Sequence, residues 1–479
     1  MKGMKKLRKT KIVCTLGPAT DNIKVLKSLA ANGMNVARIN MSHQNYNLQK
    51  IRVDKLKQVR KELNLPIALL LDTKGPEIRI GKFQQEEKIF LSQGQTFTFV
   101  TEKVVGNKDI CSISLKKIPE SIKQGCKILI DDGLIELEVE KAFENKMICK
   151  VLNNGIISSN KSVNIPSTTL SLPFISLKDE EDIKFAIREN FDFIAASFTR
   201  SKEDVDTLRK EIDDDSIKII AKIENHEGLK NIDEIIDASD GIMIARGDLG
   251  VEVPFEEIPI IQKKIIKKVY NKGKCVITAT QMLDSMIKNP RPTRAETTDV
   301  ANAIYEGTSA IMLSGESAIG SYPVGSVKTM AKIAKKTEED VDYVEEFSKR
   351  KSSGSRDVTS AVSRAACTTA HDLKAAAIVT ITKSGRTARL ISKYRPNCPI
   401  IACTSSKKVL RQLNLAWGVI PFLVNFDEEI NFNDTDFFNR IGRLLKDKKI
   451  LKEKDIAVFT AGVPLGEANK TNLIKVHNI

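Results

Sequence analysis

The chain has 479 residues, of which 41% are hydrophobic, 29% charged and only 5% aromatic, with 25 Gly and 15 Pro. That composition excludes a disordered or collagen-like polymer and implies roughly two to four folded units, at least one with a large core. The formal net charge of +15 is spread as lysine along helical stretches such as 262–268 and 332–336. Without aromatic interleaving this reads as a solvated lysine-rich surface, so nucleic acid is not the expected partner.

The longest apolar run, Ile67-Ala68-Leu69-Leu70-Leu71, falls far short of the ~20 residues that span a bilayer, and no membrane association is expected. The basic start lacks the apolar region of a signal peptide. Eight Cys without a CxxC pair suggest free thiols in a reducing cytosol, so the expected compartment is cytoplasmic. Four His without paired-ligand spacing argue against zinc.

In chain order, short β-branched runs at 11–16, 35–40 and 67–72 predict strands, with amphipathic helices at 23–32 and 46–63 between them. The stretch 75–173 has a different texture: alternation dominates, as in Leu134-Ile135-Glu136-Leu137-Glu138-Val139-Glu140 behind the turn Asp131-Asp132-Gly133. It reads as an inserted all-β module, emerging above the catalytic face and able to act as a lid. Strands resume at 191–197, 218–223, 241–245, 275–280 and 309–314, with helices at 202–211 and 259–271 among them. Eight strand–helix alternations predict a (β/α)₈ TIM barrel, although open doubly wound sheets alternate too. Its strands end in polar or charged residues time after time, as expected where a barrel gathers its active site.

Residues 335–351 are charge-dense, and Ser352-Ser353-Gly354-Ser355-Arg356 reads as a linker. Strand candidates at 376–382, 399–404, 418–423, 455–460 and 473–477 then predict a C-terminal α/β open-sheet domain, with no further domain expected after it. The expected organisation is a catalytic barrel over 1–73 and 174–345, a small inserted β-barrel lid domain over 74–173 and a regulatory α/β domain over 357–479.

Four clusters carry chemistry. In Lys222-Ile223-Glu224-Asn225-His226-Glu227-Gly228 and Ala245-Arg246-Gly247-Asp248-Leu249-Gly250, carboxylates end consecutive barrel strands. Glu224 and Asp248 can converge on one Mg²⁺ and leave most of its shell to substrate oxygens and water. Lys222, two residues before Glu224, falls on the same side of the strand, where a cation stabilises an enolate or a transferring phosphoryl group. A structural ion pair at the barrel mouth would use the same residues. Gly247 and Gly250 permit close backbone approach to a ligand.

The second cluster joins Asn35-Val36-Ala37-Arg38-Ile39-Asn40-Met41-Ser42-His43 to Leu71-Asp72-Thr73-Lys74-Gly75-Pro76-Glu77-Ile78-Arg79. Arg38 can grip a phosphate with two N–H groups. Asn40, Ser42, Asp72 and Thr73 offer oxygens with one formal charge, too little for a Ca²⁺ cage but suited to a monovalent cation; the same residue types also cap helices. In the third cluster, Thr293 and Glu296 form a capping box, and Thr280 ends the seventh strand, where it could orient a proton-carrying water. Ser314-Gly315-Glu316 holds the comparable place after the eighth strand. In the fourth, Thr382, Lys383, Ser384, Gly385, Arg386 and Thr387 follow a strand and open a helix: either a phosphate site or a capped helix with solvated cations. Its distance along the chain from the barrel face suits regulation.

Taken in order, the segments 11–19, 35–43, 72–79, 222–228, 245–250, 278–282, 291–296 and 313–316 resemble the pyruvate kinase family, and the resemblance spans essentially the whole chain. It implies transfer of the phosphoryl group of phosphoenolpyruvate to ADP, giving pyruvate and ATP, with Mg²⁺ (or Mn²⁺) and K⁺ as cofactors. It further implies that Glu224 and Asp248 hold Mg²⁺, that Lys222 stabilises the phosphoryl group and enolate, and that Arg38 binds the phosphoryl group. Gly247, Asp248 and Thr280 would contact phosphoenolpyruvate, with Thr280 linked to enolate protonation. Asn40, Ser42, Asp72 and Thr73 match the K⁺ ligands, and Glu77 matches the potassium-dependent branch. Asn40, His43, Arg79 and Lys161 fall where the family contacts nucleotide, although Ser162 stands where the family pattern has Gly. Such enzymes are typically homotetramers with a phosphorylated allosteric effector, which the loop 462–470, with Glu467, leaves open between a sugar phosphate and AMP. Two other readings remain: a Mg²⁺-dependent enolate lyase or aldolase acting on pyruvate, and a non-catalytic RNA-binding protein.

Overall fold

The structure is a computed structural model that describes residues 7–42, 45–84, 88–166, 168, 172–349, 357–426, 436–463 and 471–479. The linker 352–356, His43 and Glu467 therefore lie outside the described residues.

Eight parallel strands close into one barrel, in chain order around the ring: Lys11–Thr15, Val36–Asn40, Ala68–Asp72, Phe193–Ala196, Lys218–Ile223, Gly241–Ala245, Cys275–Ala279 and Ala310–Leu313. They are called the first to eighth strands below. Closure is direct, with Lys11 opposite Ala310 and Cys14 opposite Leu313. The continuous apolar runs are explained by burial on both faces. Ile12 and Cys14 pack outward into the helix layer, whereas Val13 faces the barrel interior, and every residue of the strand is buried. The helices Ile23–Asn32 and Tyr46–Leu63 coincide with the sequence-based expectation. The box of Thr293 and Glu296 opens the helix Arg294–Tyr305 as expected.

The insertion leaves after the third strand. Its seven-stranded sheet runs from the strand Ile78–Arg79 at one edge to Ile110–Ser112 at the other. These edges meet: Ile80 bridges Ile113, the Gly81 N–H donates to the Ser112 carbonyl (2.8 Å), and the Ser114 N–H donates to Arg79 O (2.9 Å). The small β barrel expected here thus closes through isolated bridges around its own core, which includes Phe97, Phe99 and Leu137. Both connections to the large barrel share one anchor. The Asp179 carboxylate accepts the N–H groups of Lys74 and Gly75 (3.1 Å each) on the way out, and the N–H (3.0 Å) and hydroxyl (2.6 Å) of Ser176 on the way back.

The C-terminal domain carries an open five-stranded sheet. Four strands are parallel and the last, Leu473–Asn478, runs antiparallel to Ile456–Ala461. Its apolar layer is continuous with the interior of the barrel floor: Ile378, Ile400 and Val458 share a cluster with Val13, Leu70 and Ile277. Asp192 fastens the two polar edges, accepting from Leu69 N (2.8 Å) and pairing with Arg411 Nε (2.8 Å).

Candidate active site

The mouth of the barrel gathers four charged side chains into one buried network. Arg38, in the second strand, donates through Nε to Asp72 at the end of the third (2.6 Å) and through Nη1 to Thr15 Oγ1 (3.0 Å). Lys222, in the fifth strand, places its ammonium 2.8 Å from Glu224, 3.1 Å from Asp72 and 2.8 Å from the Ser197 hydroxyl. Glu224 also accepts the N–H of Phe198 at 2.6 Å. Asp248 lies in the first turn of the helix Arg246–Glu252, where its charge helps to raise Glu224.

Burial and pairing compete at each group. Burial alone would lower Lys222, but Asp72 and Glu224 outweigh it and hold its pKa above the ordinary lysine value. Burial would raise Asp72; Arg38 and Lys222 overcome it and the carboxyl is held below its usual range. For Glu224 and Asp248 burial wins, and both carboxyls are pushed up. Two neighbouring carboxyls that burial still pushes up despite the Lys222 ammonium beside Glu224 are short of positive charge, which is the condition a divalent cation relieves. Among the described residues no group of three or more His, Cys, Asp or Glu could hold a metal. This pair therefore suits an ion whose remaining ligands are substrate and water.

Thr280 stands beside this pair. Its hydroxyl accepts the Gly247 N–H (2.8 Å) and donates to the Ala279 carbonyl (2.6 Å). A side chain at Gly247 would meet Thr280 only at ordinary contact distance (3.5 Å), so the protein itself does not demand glycine there, and nothing lies within 4 Å of such an atom at Gly250. Glu316 accepts the N–H groups of Leu283 (3.1 Å) and Ser314 (2.7 Å) and so braces the loops after the seventh and eighth strands.

The oxygens assigned to a monovalent cation collect on one edge of the mouth. Asn40 lies opposite Asp72 in register, its side chain accepts the Ser42 N–H (3.0 Å), and the Thr73 hydroxyl accepts the Ser197 N–H (3.1 Å). Arg79 and Lys161 belong to the insertion. Arg79 makes a two-point contact with Glu77 (2.6 and 2.9 Å), and Lys161 pairs with Asp131 (2.8 Å). The charges of Asp132 and Glu77 contribute to raising Asp248. Asn164 donates to Glu252 (3.1 Å), a direct contact between insertion and barrel.

Ser197 ends the strand run 191–197 and belongs to none of the four sequence clusters, but its hydroxyl touches Lys222, Asp72 (3.2 Å) and the Thr73 carbonyl (2.7 Å). Asp179 was missed, although Ser176 and Asp179 have capping-box spacing that could have disclosed it.

The second anionic-ligand candidate is remote from this network along the chain. Gly385, at φ 78°, caps the helix Arg386–Lys393 and donates to Thr382 Oγ1 (2.9 Å), and the Thr387 hydroxyl bonds that of Thr471 (2.6 Å). Lys383 and Arg386 are exposed.

Comparison with known proteins agrees with this arrangement. The family model for the pyruvate kinase barrel domain matches residues 7–327, and that for the pyruvate kinase alpha/beta domain matches residues 360–477. A pyruvate kinase of Sporosarcina psychrophila is 48% identical over 478 residues, covering 99% of this chain and 81% of that protein. One from Clostridium acetobutylicum is 46% identical over 474 residues, 98% of this chain and 99% of that one. The crystal structure of a pyruvate kinase from Cryptosporidium parvum superposes with a TM-score of 0.92 at 40% identity, covering 98% of this chain and 96% of the other. The two family models and these relatives cover nearly the whole chain, and the chain belongs to the pyruvate kinase family, a family of phosphotransferases.

Proposed function

We propose that the chain transfers the phosphoryl group of phosphoenolpyruvate to ADP, producing pyruvate and ATP as the last step of glycolysis. The observation that carries this reading is the Lys222 ammonium, buried and held charged between Asp72 and Glu224 beside the Glu224–Asp248 pair. A fixed cation there opposes the charge of the enolate leaving group and of the phosphoryl in flight, with no solvent reorganisation at the moment of transfer. Arg38 binds the phosphoryl oxygens, and Thr15 and Asp72 hold its guanidinium in plane. Gly247, Asp248 and Thr280 receive the rest of phosphoenolpyruvate, and the Thr280 hydroxyl orients the proton that reaches the methylene carbon.

Mg²⁺ or Mn²⁺, when held by Glu224 and Asp248, supplies charge neutralisation for the phosphate oxygens. K⁺ takes the edge formed by Asn40, Ser42, Asp72 and Thr73. Asn40, His43, Arg79 and Lys161 take the nucleotide beneath the insertion, and Lys161 must leave Asp131 to do so. Residues 74–173 serve as the lid, 1–73 with 174–345 as the catalytic barrel, and 357–479 as the regulatory domain. There, Thr382 to Thr387 receive a phosphorylated effector, with Lys383 and Arg386 supplying the charge. A homotetramer, the assembly typical of the family, would give cover to exposed apolar side chains such as Phe255, Ile260, Tyr305 and Ile319. Eight free cysteines fit a cytoplasmic enzyme, and no helix among the described residues is long and apolar enough to cross a membrane.

The test is pyruvate formation from phosphoenolpyruvate, with and without ADP, in Mg²⁺ and K⁺. ADP-dependent pyruvate is expected. No pyruvate from phosphoenolpyruvate, in a protein shown to be folded and tested with candidate effectors, would overturn the kinase and move the enolate lyase forward.

A further inference from the structure

Thr280 and Gln281 both hold left-handed backbone, at φ +66° and +52°. Neither is glycine, and a β-branched residue such as threonine is strongly opposed there. Something must hold this dipeptide, because its conformation sets where the Thr280 hydroxyl points. Arg246 is the group in contact with it. Its Nη2 donates to the Thr280 carbonyl (2.7 Å) and its Nε to the Ala279 carbonyl (3.2 Å), and Nη1 is anchored by Asp299 (2.7 Å) and the Gln262 side-chain oxygen (3.3 Å).

The location of Arg246 makes the arrangement specific. It is the first residue of the helix Arg246–Glu252, where the aligned peptide dipoles oppose a cation. Its guanidinium is nonetheless nearly buried, with a side-chain exposure of 10%, folded back to the carbonyls of the neighbouring strand end. The next residue, Gly247, donates its N–H to the Thr280 hydroxyl. Arg246 and Gly247 therefore hold Thr280 by its carbonyl and its hydroxyl at once, and the hydroxyl's own hydrogen goes to the Ala279 carbonyl, which Arg246 also binds.

We propose that Arg246, backed by Asp299, is a positioning residue for proton delivery to the enolate: it holds the left-handed Thr280-Gln281 turn and so fixes the place of the Thr280 hydroxyl, whose own hydrogen goes to the Ala279 carbonyl and whose oxygen orients the proton-carrying water. This rests on the reading of Thr280 given above. Lysine cannot replace the guanidinium, since its ammonium lacks the planar fork that reaches two carbonyls and a carboxylate together.

The experiment separates proton transfer from phosphoryl transfer by following exchange of the pyruvate methyl hydrogens with deuterium oxide by NMR, alongside steady-state kinetics. Arg246→Lys should lower kcat and exchange together by roughly ten- to a hundredfold, the scale of a small misplacement of a reacting group, while KM for phosphoenolpyruvate changes far less. Asp299→Asn should show a smaller loss in the same direction. Adding Gln281→Gly to Arg246→Lys should restore part of the exchange, because glycine removes the opposition to left-handed backbone. Unchanged exchange in Arg246→Lys, a loss confined to KM, or no recovery with Gln281→Gly would each overturn the proposal. Thr280→Val tells the two readings apart: normal exchange there sinks the role of Thr280 itself, whereas damage there with intact Arg246→Lys and Asp299→Asn sinks only the positioning role.

Discussion

Two lysines sit at opposite ends of the same barrel, both nearly closed off from solvent: Lys11 at the floor is 5% exposed and Lys222 at the mouth 8%. Burial pulls both in the same direction, yet they end far apart. Lys222 has Asp72 and Glu224 beside it and is raised. Lys11 is pushed down to about 7, first by burial and then by Arg8, with Glu338 and Cys275 opposing. Glu338 is already committed to the N–H groups of Lys9 (2.7 Å) and Thr10 (2.6 Å), and Lys11 itself donates to the Val419 carbonyl of the C-terminal domain (2.7 Å). The difference teaches that charge in this interior is decided by which acceptors meet the ammonium: two carboxylates within 3.1 Å at the mouth, a carbonyl at the floor. The mouth thereby keeps a cation charged, whereas the floor uses a carbonyl to join domains.

The largest effect that would break this contrast belongs to Lys222→Met. It should leave the barrel folded and lower kcat by about a thousandfold or more, since the group opposes charge made only in the transition state. Near-normal turnover would reduce Lys222 to a structural ion pair. Next, replacing K⁺ by tetramethylammonium should depress turnover by about tenfold or more, because a bulky ion cannot bring oxygens of this edge together. Turnover indifferent to the swap would remove Asn40, Ser42, Asp72 and Thr73 from the cation assignment. Lys383→Ala with Arg386→Ala should abolish activation by a phosphorylated effector and leave basal turnover unchanged; activation that survives would move that site elsewhere.

The smallest effect concerns the floor. With a folded pKa of about 7 and an ordinary value of 10.5, Lys11 binds a proton more readily in the unfolded chain between those limits. Its contribution to stability therefore rises with pH across that window, by about 1.4 kcal/mol per pH unit. In urea unfolding at pH 7, 8 and 9, the wild type should gain on Lys11→Met at that slope. A difference that stays flat would mean that Lys11 keeps its proton at the floor.

The strands and helices were legible because each strand is a short β-branched run with both faces buried, and each helix carries a polar side. Lys218–Ile223 and Gly241–Ala245 match the expectation to the residue. Lys222 and Glu224 could be paired from spacing alone. The links from Arg38 and Lys222 to Asp72 could not, because they depend on neighbours created only when the ring closes, as does the contact of Ser197 with three groups of that network. Arg246 was visible only as part of a motif. Its work is done on carbonyls of a different strand end, and no residue type signals a carbonyl acceptor. The closure of the inserted barrel was hidden for a similar reason: its last edge is held by single bridges around Ile80 and Ile113 rather than by a readable strand.

The single carboxylate of Asp179, which holds the chain both where it departs for the inserted barrel and where it returns, bears on how the molecule can be edited. The third and fourth strands are already neighbours, with Leu71 opposite Ile194 and the Thr73 N–H donating to Ala195 O (3.1 Å). The large barrel thus needs none of the intervening module to complete its ring. The module enters and leaves at one point, so a short turn across that point is the natural seam at which to remove it or exchange it for another.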